Sequence, residues 1–243
     1  AELHRLAGYM SFDMGDHPQA QRFYLSALHA AHTAGDRALG ANILGFMSHQ
    51  AEDLGMPGEA VRLIEAARHG YPGSSSRVAA ILDTRAARAY GKERNARQCR
   101  DAIESAYTHL RDALPDGGQP AWSYWLDEAH LNLQAGRSYL HLGDWPNAQH
   151  HLAVAVRLND DAAFPRQGAQ ARANLALAHA RQRQPDRAVD IATRAVDMLA
   201  NDVTSARTAS RIKQVADALR PYHKMPPIRE FEERVDQLLP ATA

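Results

Sequence analysis

The chain has 243 residues, with 28 Lys and Arg against 28 Asp and Glu, so its formal net charge is zero. That balance argues against an extended phosphate-binding surface and against a polybasic membrane-surface segment, since both need clustered excess positive charge. A single cysteine, Cys99, excludes an intramolecular disulfide and a cysteine-based zinc site, and it fits a reducing, cytoplasmic setting.

No apolar run is long enough for a membrane-spanning helix. The first residues, Ala1-Glu2-Leu3-His4-Arg5, do not read as a signal peptide, and there is no initiator Met. The expectation is therefore a piece of a longer protein, whose output function lies N-terminal to it. Alanine, Leu, Arg, Gln and Glu are abundant, and period-two stretches of Val, Ile and Thr are absent, so the chain reads as all-α.

The elements recur. The first unit carries Leu6-Ala7-Gly8, Gly15-Asp16, Ala20, Tyr24 and Ala27. About 40 residues on stand Met47-Ser48, Gly55, Ala60, Ile64 and Ala67, followed by Ala86-Ala87, Tyr90, Arg94, Cys99, Ile103 and Ala106. A longer step of about 49 reaches Ala135-Gly136, Tyr139, Gly143-Asp144, Ala148, Leu152 and Ala155. The fifth unit has Leu175-Ala176, His179, Arg183, Ala188, Ala192 and Ala195. Small residues let two antiparallel helices approach, and Gly-Asp turns such as Gly15-Asp16-His17-Pro18 join them. No such pair buries its apolar face alone, so neighbours must stack. Two turn-rich connectors interrupt the rhythm, at 71–76 and at 114–120, the second with an expected bend near 115–120.

This pattern resembles the tetratricopeptide repeat, best in Ala135-Gly136-x-x-Tyr139-x-x-Leu142-Gly143-Asp144-Trp145-x-x-Ala148. The resemblance implies one right-handed α-solenoid domain over 1–243. Its repeats fall roughly at 1–34, 41–74, 80–113, 122–162 and 169–202, with a C-terminal capping helix pair at 204–239. Arg94 and Arg183 stand where the repeat usually has Gly.

A narrower resemblance joins Pro120-Ala121-Trp122-Ser123-Tyr124-Trp125-Leu126-Asp127-Glu128-Ala129-His130-Leu131 to a tail running from Arg211-Ile212 to Phe231. Together they are similar to the C-terminal region of actinomycete Xre-type helix-turn-helix transcription regulators. That resemblance implies a cytoplasmic, ligand- or peptide-sensing and dimerisation domain that binds its effector on the concave face. The N-terminal DNA-binding domain would lie outside these residues, and DNA would be reached only through it. The alternative is a standalone protein-binding adaptor.

The resemblance also places the first helix of each pair on the concave face. The implied ligand-groove candidates are Arg5, Tyr9, Asn42, His49, Glu52, Asp53, Arg88, His130, Arg137, His141, Asn174 and Arg181. Asn can offer donor and acceptor to a peptide backbone, and Arg can clamp a carboxylate. Glu52 and Asp53 make an acidic spot suited to a basic ligand residue. The set of Lys and Asn that clamps chaperone tails is not reproduced.

Other constellations carry less. Trp122, Tyr124 and Trp125 are either core or an aromatic wall or interface, with Trp122 and Trp125 sharing a face if a helix starts that early. Asp127-Glu128-Ala129-His130 spells a helicase box, but the Gly-rich phosphate loop with Lys is absent. His29 with His32, and His150-His151, lack a companion ligand set, so neither a metal nor a cofactor is expected. No nucleophile signature occurs and Cys99 reads as buried and inert, so the chain is not expected to be an enzyme.

Overall fold

The computed structural model describes residues 1–73, 75–113, 118–159, 165–201 and 205–239. All regular elements among them are helical: α1 (Glu2–Asp13), α2 (His17–Thr33), α3 (Arg37–Asp53), α4 (Pro57–Gly70), α5 (Ser76–Lys92), α6 (Ala96–Asp112), α7 (Glu128–Leu142), α8 (Trp145–Leu158), α9 (Pro165–Arg181), α10 (Pro185–Asn201), α11 (Ala206–Leu219) and α12 (Pro226–Leu238). Short 3-10 turns cover Ala121–Ser123 and Arg220–Tyr222. Helices α3, α5 and α9 begin earlier than the repeat spacing suggests. The expected bend at 115–120 falls partly on 114–117, which lie outside the described residues, as do 160–162 of the fourth repeat and 204 of the cap.

The helix starts follow from short polar side chains. Asp16, Asp36, Ser75, Asn95, Asp144 and Ser205 each accept a backbone N–H three residues on, which satisfies one of the donors a helix N-terminus leaves over. Asp127 does the same for α7 through His130 N–H at 2.7 Å. The Asp of the helicase-like tetrapeptide is therefore a helix cap.

The chain forms two compact units, Ala1–Leu142 and Gly143–Ala243. In the first, α1, α3, α5 and α7 pack on one another in succession, while α2, α4 and α6 each pack on the helices that flank them in sequence. In the second, α8 packs on α9, α9 on α10 and α11, and α12 closes over α10 and α11. The second unit's core joins Ala173, Leu177, Ala188 and Ala192 to Ile212, Leu219, Ile228 and Phe231.

The repeat's physical content sits in the second helix of each pair. Ala20, Tyr24 and Ala27 are buried, as are their counterparts Ala60, Ile64 and Ala67; Cys99, Ile103 and Ala106; Ala148, Leu152 and Ala155; and Ala188, Ala192 and Ala195. These triplets are spaced to share one helix face. Cys99 takes an Ala position, and burial pushes its thiol up to about 12, leaving no thiolate at neutral pH.

Between the two helices of each of the five repeats the backbone turns left-handed. Gly15, Gly55 and Gly143 supply this conformation at φ 83°, 76° and 78°, whereas Arg94 and Arg183 adopt it at 67° and 58°. A Cβ in that region costs about 1–2 kcal/mol. Arg183→Gly relieves this and loses part of the gain to the more flexible unfolded chain. It should raise the unfolding free energy by roughly 0.5–1 kcal/mol, read by urea denaturation. Gly55→Ala should shift it the other way.

Candidate functional site

The inner helices of the first unit bring most of the groove candidates together. Arg88 on α5 is the hub. Its Nη2 donates to Glu52 Oε1 at 2.5 Å and lies 3.9 Å from Asp53 Oδ1. Its Nη1 donates to Gln134 Oε1 at 3.2 Å and contacts His49 Nε2. That contact needs an unprotonated Nε2 on His49. On the other side, His141 Nε2 donates to the same Glu52 oxygen at 2.9 Å. Gln134 also reaches His130 Nε2 at 3.0 Å. One network thus joins α3, α5 and α7.

Glu52 and Arg88 are each only 2–3 % exposed. Burial alone would raise the Glu52 carboxyl. The Arg88 guanidinium, the His141 hydrogen bond and the nearby charges of His141 and Arg137 together outweigh it and hold Glu52 well below the usual carboxylate range. The acidic spot expected at Glu52 and Asp53 is therefore already answered, at Glu52, by the protein's own cations. It does not present a bare carboxylate to a basic ligand.

A second cluster lies beside it, on α1, α2, α3 and α5. The ring of Phe46 stacks on Tyr24 at 5.8 Å and meets Tyr9 at 5.7 Å. The Arg85 guanidinium sits 4.2 Å from the centre of the Phe46 ring and the Arg5 guanidinium 5.7 Å from it. Arg85 Nη1 donates to Asn42 O at 2.8 Å and to Asn42 Oδ1 at 2.7 Å. Gly45 makes room for it, because a Cβ there would overlap the Arg85 side chain. Arg5, Tyr9 and Asn42 were legible from the repeat register, whereas Arg85, Phe46 and Gln134 were not. The sequence offered only an Arg on an Ala-rich helix, three residues before the candidate Arg88.

Another buried carboxylate, Asp83, went unread in the sequence. It accepts from Ser105 Oγ at 2.6 Å and His109 Nδ1 at 2.9 Å, and it pairs with Arg68 at 3.2 Å, tying α4 and α6 to α5.

The aromatic segment does not form one wall. The chain at 121–123 is a 3-10 turn and α7 starts only at Glu128, so Trp122 and Trp125 do not share an α-helix face. Trp122 is buried, Tyr124 is 72 % exposed, and Trp125 packs edge-on against His130 at 4.8 Å. Asp127 caps α7 through the His130 N–H, so the helix begins after Trp125.

Asn174 and Arg181 belong to the second unit. Asn174 is buried and its Nδ2 donates to Gln170 O at 2.7 Å, while Arg181 is exposed. Among the described residues no group of three or more His, Cys, Asp and Glu could hold a metal ion. No helix among them is long and apolar enough to cross a membrane.

No family model matches the chain, and no curated protein sequence does either. Solved structures do. A thermophilic TPR protein of Thermus thermophilus superposes with a TM-score of 0.56 at 18% identity, over 90% of this chain and 98% of that one. Nearly identical TPR-like repeats from Podosopora anserina, named after kinesin light chain, give 0.54 at 15% identity over 80% and 92%. A tetratricopeptide repeat protein from Parabacteroides merdae gives 0.51 at 14% over 99% and 80%. The fold is tetratricopeptide-like. Stacked helical repeats of this kind commonly serve as surfaces for binding peptides or proteins.

The Glu52–Arg88 pair makes a direct prediction. Removing one partner of a buried ion pair leaves the other charge uncompensated, at about 3–5 kcal/mol. Glu52→Gln should lower the unfolding free energy by about 3 kcal/mol, and adding Arg88→Met should restore much of that. The pair also has a pH signature. A carboxyl depressed in the fold contributes stability that is complete above its unfolded value, about 4.3, and is lost as pH falls toward the folded value. Urea midpoints measured at falling pH should show this slope in the parent chain, and Glu52→Gln should lack that part of it.

Proposed function

We propose that this chain is the sensor and dimerisation region of a cytoplasmic helix-turn-helix transcription regulator, holding a peptide or small-molecule effector on the inner helices of its first unit. The observation that carries the binding part is the cluster around Phe46, where Arg5, Tyr9 and Arg85 meet one ring from two other inner helices and Asn42 accepts from Arg85. Polar and aromatic groups converging from separate elements are what a ligand-orienting site needs. The regulatory part rests on the segment Pro120–Leu131 and the tail from Arg211 to Phe231.

The mechanism is a population shift. An effector that contacts α1, α3 and α5 together favours the arrangement in which those contacts are best made, and it stabilises that arrangement by its differential affinity. Domains attached beyond the chain respond because helical repeats transmit small rotations from neighbour to neighbour.

Dimerisation has its own support. Leu3, Leu6, Met10 and Met14 are all exposed and lie along one stripe of α1. An exposed apolar stripe of this kind marks a contact surface. The same stripe is the observation that favours the second reading, an adaptor that uses α1 to hold a different protein.

Native mass spectrometry of the chain recovered from its producing cells separates the two readings. The sensor reading predicts a dimer that carries a stoichiometric peptide or small-molecule mass. A ligand-free monomer bound to one other protein would contradict it and establish the adaptor.

A further inference from the structure

We infer that the chain pairs with a second copy by laying the apolar stripe of α1 into the partner's outer groove between α2 and α4, each copy giving one helix and receiving one. This rests on the dimerisation reading, and it names the surface that receives α1.

The argument starts from one groove built twice with opposite chemistry. Between α4 and α6, over α5, the chain fills the groove itself: Arg68 pairs with Asp83 at 3.2 Å, and His109 and Ser105 bond the same carboxylate at 2.9 and 2.6 Å. One repeat earlier, between α2 and α4 over α3, the same places carry Leu28 for Arg68, Leu44 for Asp83, Ala66 for Ser105 and Gly70 for His109. That groove is open, with a volume of about 450 Å³ and a mostly apolar lining.

Two glycines keep it open. Gly40 and Gly70 both lie within helices and both line the groove. Neither has a left-handed backbone or a close neighbour: a Cβ on Gly40 would first meet Leu28 Cδ1 at 4.0 Å, and one on Gly70 would meet nothing within 4 Å. A helical glycine costs stability. At Gly8, Gly45 and Gly91 close packing accounts for it, whereas at Gly40 and Gly70 the space itself is what the glycine provides.

The same chain carries the complementary part. Leu3, Leu6 and Met10 on α1 are 83, 46 and 57 % exposed. They stand at i, i+3 and i+7, the anchor spacing of a helix laid into an apolar groove. The other side of α1 is already used, with Gly8 and Phe12 buried. The stripe and the groove adjoin, because Asp36 lines the groove and also the recess beside Ala1–His4 at the start of α1. A twofold axis sets one patch on another and the second on the first, so a chain holding both at one end is self-complementary. The charges agree: Glu2 is exposed at the start of α1, and His32 and Arg37 are exposed at the rim of the groove. A small apolar ligand would fill the groove and leave the stripe in water. A second copy covers both.

The test is sedimentation equilibrium of the whole chain. The parent should be a reversible dimer. Leu6→Glu with Met10→Glu should raise its dissociation constant about a hundredfold or more, as expected for losing apolar anchors from both copies. Leu28→Arg with Leu44→Asp and Gly70→His gives this groove the side chains that fill the next one. That variant should keep its helical circular dichroism and also lose the dimer. Gly70→Gln, whose new side chain has open space, should weaken the dimer at an unchanged thermal midpoint.

The mixture of variants decides the geometry. The α1 variant keeps its groove and the groove variant keeps its α1. Two chains that are each monomeric should therefore form a heterodimer through one of the two contacts, weaker than the parent. Direct pairing of α1 with α1 gives no such heterodimer, and that result would overturn the inference. A parent dimer that ignores both groove variants overturns it while leaving the dimerisation reading intact. A parent that stays monomeric overturns both.

Discussion

A buried arginine must find partners for its charge, and α5 buries two of them one turn apart, Arg85 and Arg88. Arg88 finds Glu52, and the pair recruits His49, Gln134 and His141 into a network that holds α3, α5 and α7 in register. Arg85, three residues earlier on the same helix, finds the oxygens of Asn42 and the face of Phe46 instead. The difference separates two jobs within one face. The Arg88 side is closed and structural, with its charges matched internally. The Arg85 side is met by neutral oxygens and an aromatic ring.

The rest of the first unit serves this placement. Alanine-rich helices approach closely, and Gly45 and Gly91 mark two of the tightest points: Gly45 faces Arg85, and a Cβ on Gly91 would stand 2.8 Å from the Ser138 carbonyl oxygen of α7. Close approach makes side chains on α3, α5 and α7 neighbours even where they stand 36 or 89 residues apart in sequence, as Arg88 and His141 do from Glu52. The second unit is built more simply. Its core is apolar, and its polar cross-links include a small cluster of His179 with Gln149 and Gln184.

The fold was legible because its determinants are local. The buried triplets such as Ala60, Ile64 and Ala67 recur in phase, and the capping residues stand at the helix starts. Even the two arginines in glycine positions were visible, and both take the left-handed conformation that the turn demands. The site was legible only in part, because pairing across helices is not local. The register placed Glu52, Arg88 and His141 on one face, but only the packing makes them satisfy one another. It passed over Arg85, which only the packing brings to Asn42 and Phe46. Trp122 and Trp125 would share a face only if a helix started that early, and the chain there runs as a 3-10 turn and a loop before α7 begins.

The most direct measurement is NMR of the arginine side-chain Nε–Hε signals in the parent chain and in Glu52→Gln, with Arg85 and Arg88 assigned by substitution. The account predicts a clear shift for Arg88, whose counter-ion is Glu52, and a nearly constant signal for Arg85, which is held by Asn42. An unchanged Arg88 signal, or a change in Arg85 as large as that in Arg88, would contradict it.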